Sequence, residues 1–483
     1  MGFANIQRVI GFLVASSSLM MVPPILVSLY YGDGTHMLFM ISAMIFLAVG
    51  MMIFLPVRNE KRELRLRDGF LIVSCSWLAV VLVGALPFVL MTTPDVSVVD
   101  AIFESMSGFT TTGATIITNV DALPRAVLYY RMQMQWMGGM GIIVLAVAIL
   151  PMLRIGGMQL FRAETPGPMK DAKLTPRITE TAKALWLIYV SITLLCIVAF
   201  DLGGMDLFDA IGHAFSTVAT GGFSTHNESL AYWDSPTLEA IAMFFMFIAG
   251  INFALHFTAW RRASMQAYFM DHEFKVYVLL LAVFSILATI ALYVTNTFDS
   301  IGASFRHGAF HVVSVMSTTG FTTDPFYTWP SFVPLLLIFV AFIGGCAGST
   351  AGGMKVIRVV LLHRQALREI RRLIHPYAVI PVKYDGKTTS PNVMDAVWGF
   401  FFLFIASFAV MTMLLTATGL DMVTSYSAVV ACISNMGPAL GKAGLHYAEL
   451  NDASKLILSG AMLLGRLEIY TLLVLLMPEF WND

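Results

Sequence analysis

The sequence predicts an all-α polytopic membrane protein. Of its 483 residues, 58% are hydrophobic and only 12% are Asp, Glu, Lys or Arg, whereas a soluble domain of average composition carries about 25% charged residues. The apolar residues also come in runs long enough to cross a bilayer, which takes roughly 20 residues. These observations exclude a soluble globular protein, a disordered chain and a nucleic-acid binder, which would need a basic face. They also argue against an outer-membrane barrel of short alternating strands.

Ten apolar runs are long enough to be membrane spans. The first is longer than the apolar region of a signal peptide and carries only Arg8 near its start, so we interpret it as a retained helix. The ten runs lie near residues 6–31, 37–56, 70–91, 126–153, 184–203, 237–260, 276–295, 331–362, 397–418 and 454–478.

The basic residues predict the orientation of these spans. Residues 57–69, 154–183, 261–275 and 355–387, together with Arg8, hold 23 of the 29 Lys and Arg residues. The positive-inside rule makes these segments cytoplasmic, and ten spans then place both termini in the cytoplasm. The opposite segments carry sixteen Asp and Glu residues against five basic ones. Such a negative mouth attracts cations, although the exclusion of Lys and Arg from outer loops explains the same imbalance.

Four outer segments repeat one pattern, in which a short semi-apolar run leads into small hydroxyl residues and a glycine. Each segment lies between two predicted spans. The four segments are SMSGFTTTGAT (105–115), AFSTVATGGFST (214–225), VVSVMSTTGFTT (312–323) and ACISNMGPALG (431–441), with aligned glycines at Gly113, Gly222, Gly320 and Gly437.

The runs before these glycines predict half-helices that enter the membrane from outside and stop midway, because about 12 residues are too few to cross a bilayer. Non-helical backbone at membrane depth is tolerated only where it is buried in protein or lines a water-filled cavity. Four copies around one axis would form a ring of carbonyl oxygens, which can replace the hydration shell of a monovalent cation. The alternative is that the Thr-Gly clusters are four ordinary outer turns.

Further motifs accompany the repeats: WMGGMGIIVLAVAILP, FIGGCAGSTAGGMKVIR and GRLEIYTLLVL. Together with the four span–loop–span units they resemble the Trk/Ktr/HKT superfamily of potassium transporters over essentially the whole chain. With its two extra leading spans, the chain is similar specifically to the bacterial Trk type. The resemblance implies a homodimer in which each chain forms a channel-like pore from four pseudo-fourfold units. We assign the two extra helices to residues 1–64 and the units to residues 65–165, 166–265, 266–375 and 376–483.

The resemblance implies a K⁺ selectivity filter at the four glycine segments. All four aligned positions are glycine, whereas relatives that prefer Na⁺ place Ser at the first, so a preference for K⁺ is implied. The two residues before each glycine would coordinate the ion. The filter would consist of Thr110, Thr111, Thr112 and Gly113, then Thr220, Gly221 and Gly222, then Thr318, Thr319 and Gly320, and finally Asn435, Met436 and Gly437.

A glycine-rich segment interrupts the last span of the third unit. Five glycines in the ten residues 344–353 cannot sustain a helix in the middle of a span, so we expect a flexible intramembrane segment. Close helix packing through small residues is the alternative. The resemblance implies that this segment is a gate under the filter, made of Gly344, Gly345, Cys346, Ala347, Gly348, Ser349, Thr350, Ala351, Gly352 and Gly353.

Arg466 lies in the middle of the last predicted span. Charges within a membrane are costly and usually functional, and the resemblance assigns Arg466 to a constriction together with the gate. A local pair with Glu468 is the alternative. Lys355 and Arg358 are expected to extend towards the cytoplasm from the end of the interrupted helix.

The predicted function is potassium uptake across the bacterial inner membrane through a pore with a gate controlled from the cytoplasm. K⁺ is the transported ion, and the chain has no nucleotide-binding motif. The resemblance therefore assigns regulation to a cytosolic ring protein that binds NAD(H) or ATP/ADP and docks on residues 154–183 and 363–394. One rival is a Ktr-type Na⁺-dependent K⁺ transporter, against which the two leading spans argue. An intramembrane enzyme is the other, but few ionisable pairs lie within the spans.

Overall fold

The computed structural model describes residues 3–59, 66–92, 94–144, 178–330 and 332–482. Within those ranges, six uninterrupted helices are long and apolar enough to cross a membrane, and two bent pairs of helices qualify as further spans. Large apolar side chains such as Met52, Leu82 and Leu195 are exposed on the outside of the bundle, as expected where lipid is the solvent. The prediction of an all-α polytopic membrane protein is confirmed.

A leading pair of helices precedes four units, each made of an outer helix, a short pore helix and an inner helix. The leading pair consists of α1 (Phe3–Ser17), which continues through a 3-10 turn (Ser18–Met21) into α2 (Val22–Tyr31), and of α3 (His36–Phe54). Unit 1 contains α4 (Leu66–Leu90), α5 (Val98–Phe109) and α6 (Arg125–Val144); unit 2 contains α7 (Ile178–Leu202), α8 (Leu207–Val218), α9 (Pro236–Ala249) and α10 (Phe253–Arg262), and the short α11 (Gln266–Met270) follows it.

Units 3 and 4 have the same plan. Unit 3 contains α12 (His272–Val294), α13 (Ile301–Met316), α14 (Phe332–Ile343) and α15 (Val356–Ile374), followed by the strands β1 (Lys383–Tyr384) and β2 (Lys387–Thr388). Unit 4 contains α16 (Pro391–Ala417), α17 (Met422–Ile433), α18 (Asp452–Arg466) and α19 (Tyr470–Leu473), and the described chain ends with α20 (Pro478–Trp481). Further 3-10 turns cover Leu55–Val57, Ser229–Trp233, Phe326–Thr328, Gly441–Ala443 and Val474–Leu476.

The leading helices pack closely on each other and are tied to unit 1 by Asp33. A Cβ on Gly50 would lie 2.2 Å from the backbone nitrogen of Ala15, so a glycine is needed at this crossing. The Asp33 carboxylate accepts hydrogen bonds from the Ser28 hydroxyl at 2.5 Å and from the backbone N–H of Ala126, the second residue of α6, at 2.9 Å. Burial alone would raise the pKa of Asp33, but these hydrogen-bond donors outweigh it and lower the pKa below its usual value.

The four pore helices begin at side-chain caps and are too short to span a bilayer. Ser97, Asp206, Ser300 and Asp421 each accept a hydrogen bond from a backbone N–H in the first turn, which supplies a partner for a donor that the helix itself leaves unpaired. The pore helices contain 12, 12, 16 and 12 residues, so half-helices were correctly predicted.

The inner helices are less regular than predicted. The predicted continuous spans at 237–260 and 454–478 are wrong, because α9 and α10 are bent by 93° and α18 and the segment from Tyr470 to Leu476 by 110°. Asn252 explains the first break, since its side chain caps α10 by accepting the Ala254 N–H at 2.8 Å. The predicted span 331–362 is interrupted between α14 and α15, as the glycine-rich segment indicated. The end of the predicted span 126–153 lies outside the described residues.

A small antiparallel hairpin follows α15 and was not predicted. Strands β1 and β2 pair Lys383 with Thr388 and Tyr384 with Lys387. The connecting residues Asp385 and Gly386 both have positive φ angles, 48° and 74°. Asp-Gly with two positive φ angles is typical of the tight type I′ turn that matches strand twist, so this turn is encoded locally.

Candidate functional site

The four pore helices end in the same way. Thr111, Thr220, Thr318 and Asn435 have φ angles of 53°, 53°, 56° and 53°. Each donates its backbone N–H to the carbonyl three residues earlier, and the next residue donates to the carbonyl five residues earlier. This left-handed conformation is rare for a β-branched residue and costs of order 1–3 kcal/mol. Its recurrence in three threonines and an asparagine shows that the fold maintains one backbone shape four times.

The four segments form a closed ring. A Cβ on Gly113 would lie 2.2 Å from the carbonyl oxygen of Gly221, in the next segment, and each of the other three aligned glycines has the same relation to its neighbour. A Cβ contact below 3.0 Å would force the backbone to shift, so only glycine fits here. For the other three glycines, the added Cβ would lie 2.0 Å (Gly222) from Thr319 O, 2.1 Å (Gly320) from Met436 O and 2.5 Å (Gly437) from Thr112 O.

Side chains from outside the four segments support the ring. Gln135 of α6 donates its Nε2–H to Gly221 O at 2.6 Å and accepts the Phe223 N–H at 3.0 Å. The Tyr447 hydroxyl donates to Gly437 O at 2.7 Å. Each of these carbonyl oxygens has a second lone pair, so the hydrogen bond orients the carbonyl and leaves one lone pair available for a ligand. The sequence analysis missed Gln135 and Tyr447; a glutamine within a predicted span was the only available signal.

A buried ion pair lies beside the first segment and was also missed. The Arg131 Nε–H donates to Glu104 Oε1 at 2.8 Å, and the two side chains are 1% and 0% exposed. The same carboxylate accepts the Ile116 N–H at 3.0 Å, and the guanidinium lies 4.2 Å from the ring centroid of Phe223. The pair therefore connects the pore helix of unit 1 to the second segment.

The ring faces an outer cavity of about 450 Å³, which all four aligned glycines line together with Arg131, His226, Glu228 and Asp324. Part of the predicted negative charge on this side is neutralised by ion pairs. Lys455 pairs with Asp100, Arg306 with Glu239, and Arg131 with Glu104. These ion pairs connect the pore helices to neighbouring parts of the chain.

The glycine-rich segment lies directly under the ring. The Gly352 N–H donates to the Thr318 hydroxyl at 2.7 Å, and a Cβ on Gly352 would lie 2.1 Å from Ser434 O. The Thr350 hydroxyl donates to Val218 O, the last residue of α8, at 3.1 Å. The segment therefore touches the ends of the second, third and fourth pore helices.

The glycine-rich segment and the break between α9 and α10 supply each other's hydrogen bonds. The Cys346 N–H donates to Gly250 O at 2.9 Å, and the Phe253 N–H donates to Gly348 O at 3.0 Å. Irregular backbone inside a membrane must find such partners. The two interruptions therefore depend on each other, and close helix packing alone does not describe the segment.

Arg466 joins the glycine-rich segment to the inner helix of unit 1. Its guanidinium donates to Thr350 O at 2.9 Å and to Gly138 O at 3.2 Å, and the residue is 2% exposed. Glu468 pairs with Arg358 at 2.8 Å, so the alternative of a local Arg466–Glu468 pair is wrong.

Lys355 and Arg358 do not extend out of the bundle as expected. They are only 8% and 2% exposed, because Lys355 donates to Ala351 O and Arg358 lies 4.0 Å from the ring centroid of Phe400 while it pairs with Glu468.

The groups around the ring that could bind an ion are neutral carbonyl and hydroxyl oxygens. In the part of the chain that the structure describes, no group of three or more His, Cys, Asp or Glu side chains could hold a metal ion. Carbonyl and hydroxyl oxygens in a ring suit a dehydrated monovalent cation. The fold and the ring together define a multi-span membrane protein built from four pore-loop units.

Comparison with known proteins gives the family. The family model TrkH, described as a cation transport protein, matches residues 35–482. The chain is 51% identical to the Trk system potassium uptake protein TrkH of Halomonas elongata and 48% identical to that of Escherichia coli K12, covering 100% of each chain. It is similar over 100% of both chains to the crystal structure of the potassium transporter TrkH from Vibrio parahaemolyticus, with 47% identity and a TM-score of 0.93. The chain belongs to the TrkH family of cation transport proteins.

Proposed function

We propose that this protein takes up K⁺ across the bacterial inner membrane. The relatives named potassium uptake proteins or potassium transporter cover the chain from end to end, and neutral oxygens in a closed ring are the right donors for this ion. The observation that carries the proposal is the ring itself, in which each filter glycine abuts a carbonyl oxygen of the next segment.

The selectivity filter consists of the four segments, and K⁺ is bound by Thr111, Thr112, Thr220, Gly221, Thr318, Thr319, Asn435 and Met436. The fixed backbone supports this assignment, because selectivity by carbonyl oxygens depends on how many of them surround the ion and on how they are held. Gln135, Tyr447 and the Glu104–Arg131 pair hold the surrounding backbone. The C-terminal ends of the pore helices, which carry partial negative charge, add a favourable potential for a cation.

The glycine-rich segment and Arg466 form the gate. The segment contacts the ends of three pore helices and Arg466 fixes one of its carbonyls. A buried positive charge below the filter opposes the passage of a cation electrostatically, so K⁺ passes only when the segment and Arg466 move aside.

The pore works as a homodimer with a cytosolic ring protein that binds NAD(H) or ATP/ADP. The basic segment 363–394 supports docking of such a partner, because Arg368, Arg371 and Arg372 lie on the last part of α15. Most of the other candidate, 154–183, lies outside the described residues. Both termini and these basic segments face the cytoplasm, in line with the positive-inside rule.

The test is ⁸⁶Rb⁺ uptake into proteoliposomes that contain K⁺ and the purified protein, with and without the nucleotide-loaded partner. We expect uptake that external K⁺ suppresses, that does not need Na⁺ and that the partner controls. Uptake that required Na⁺ would favour the Ktr-type alternative. Uptake equal to that of protein-free liposomes under every condition would refute the proposal.

A further inference from the structure

Glu273 is a buried carboxylate that contacts both ends of the proposed gate. It lies at the start of α12 and is 1% exposed. Its Oε1 accepts the backbone N–H of Ala347 at 2.8 Å and that of Ile357 at 3.1 Å. Ile357 is in the first turn of α15, where a helix has no internal partner for its N–H groups. One oxygen atom therefore joins the glycine-rich segment to the helix that follows it.

We propose that Glu273 is the positioning residue that holds the glycine-rich segment across the pore, an inference that rests on the gating function proposed above. A buried hydrogen-bond acceptor that loses its donors costs the full desolvation penalty of that group, so the segment and Glu273 stabilise each other's position. Glu273 lies just before the predicted span 276–295, and the two amides that donate to it are 74 and 84 residues away in the sequence.

The residues beside Glu273 contact the side of the protein on which the partner is proposed to dock. Asp271 caps α12 by accepting the Phe274 N–H at 2.8 Å, and burial raises its pKa to about 6. His272 contacts the Arg364 side chain of α15, and its ring lies 5.4 Å from that of Tyr384 in the hairpin. A displacement of α15 or the hairpin therefore reaches Glu273 through an adjacent residue.

Two substitutions test the reach of this side chain. Glu273→Asp keeps the carboxyl group but is one methylene shorter, so its oxygen falls short of the two amides. Glu273→Gln keeps an accepting oxygen at the same reach. In partner-free proteoliposomes, Glu273→Asp should raise basal ⁸⁶Rb⁺ flux per folded protein about tenfold, the factor that corresponds to losing one net hydrogen bond. Glu273→Gln should raise it less.

Thr289→Val is the matched control, because Thr289 is buried in the same helix and its hydroxyl donates only within that helix, to Ser285 O. Its basal flux should equal that of the unmodified protein. Thermal unfolding and size-exclusion profiles establish that each variant is folded. Basal flux unchanged by Glu273→Asp, or raised at least as much by Glu273→Gln, overturns the inference.

Hydrogen exchange of the unmodified protein gives a second test that does not depend on folded variants. The amides of Ala347 and Ile357 should be protected without the partner and exchange faster when the nucleotide-loaded partner opens the gate. Equal exchange in both conditions overturns the inference. A failure of the proposed function can be told apart from a failure of this inference, because the unmodified protein would then carry no ⁸⁶Rb⁺ at all.

Discussion

Replacing Gly113 by serine should weaken the discrimination between K⁺ and Na⁺. A Cβ at this position would lie 2.2 Å from Gly221 O, whereas ordinary contacts begin near 3.4 Å, so the carbonyl must move by about an ångström. Gly113 also has φ +84°, and the left-handed conformation adds roughly 1–2 kcal/mol for a residue with a side chain. One displaced oxygen of the ring corresponds to about 1.4 kcal/mol, the scale of one net hydrogen bond, and so to about a tenfold loss of discrimination.

The assay is the ratio of ⁸⁶Rb⁺ to ²²Na⁺ uptake in proteoliposomes, with Gly34→Ser as the control. Gly34 has φ +80° and no atom within 4 Å of its Cβ position, so this variant has the same backbone strain without the contact. We expect the ratio to fall for Gly113→Ser and to stay constant for Gly34→Ser. An unchanged ratio in folded Gly113→Ser protein would refute the assignment of the filter.

Three further substitutions test the gate, the ion pair and the helix packing. Arg466→Ala removes the hydrogen bonds to Thr350 O and Gly138 O and should raise basal flux in proteoliposomes, whereas a lower flux in folded protein would contradict its role as a barrier. Arg131→Ala leaves Glu104 buried without its partner, so thermal unfolding should show a loss of about 3–5 kcal/mol, while Arg125→Ala, in an exposed pair at 3.8 Å, should change little. Gly465→Ala would place a Cβ 2.0 Å from Ile433 O and should destabilise the protein, but Gly460→Ala, whose nearest neighbour is 4.0 Å away, should stabilise the same helix by about 0.5–1 kcal/mol; equal melting temperatures of these two variants would contradict the packing.

The sequence predicted those parts of the fold that depend on local patterns and on repetition. The lengths of the pore helices follow from apolar runs and caps such as Ser97 and Asp421. The filter glycines could be aligned because the pattern occurs four times. The left-handed conformation of Thr111 could not be predicted, because a threonine gives no local signal for a positive φ angle.

The remaining features depend on contacts between distant parts of the chain. The bend at Gly250 lies in an apolar stretch without proline, and it is stabilised by hydrogen bonds to Cys346 and Gly348 about a hundred residues away. Gln135 and its carbonyl partner at Gly221 are 86 residues apart. A single sequence contains no spacing that brings such groups together, which is why the repeated glycine segments could be aligned and the side chains that contact them could not be predicted.

The shared hydrogen bonds between the glycine-rich segment and the α9–α10 break link opening to hydration. When the segment moves, Gly250 O and the Phe253 N–H lose their partners in the middle of the membrane, at about 1–3 kcal/mol for each unsatisfied group. Water that enters the space left by the segment can replace those partners, so the open state requires a hydrated pathway. The proposed gate would then respond to water activity. Solutes too large to enter that space would draw water out of it and so favour the closed state.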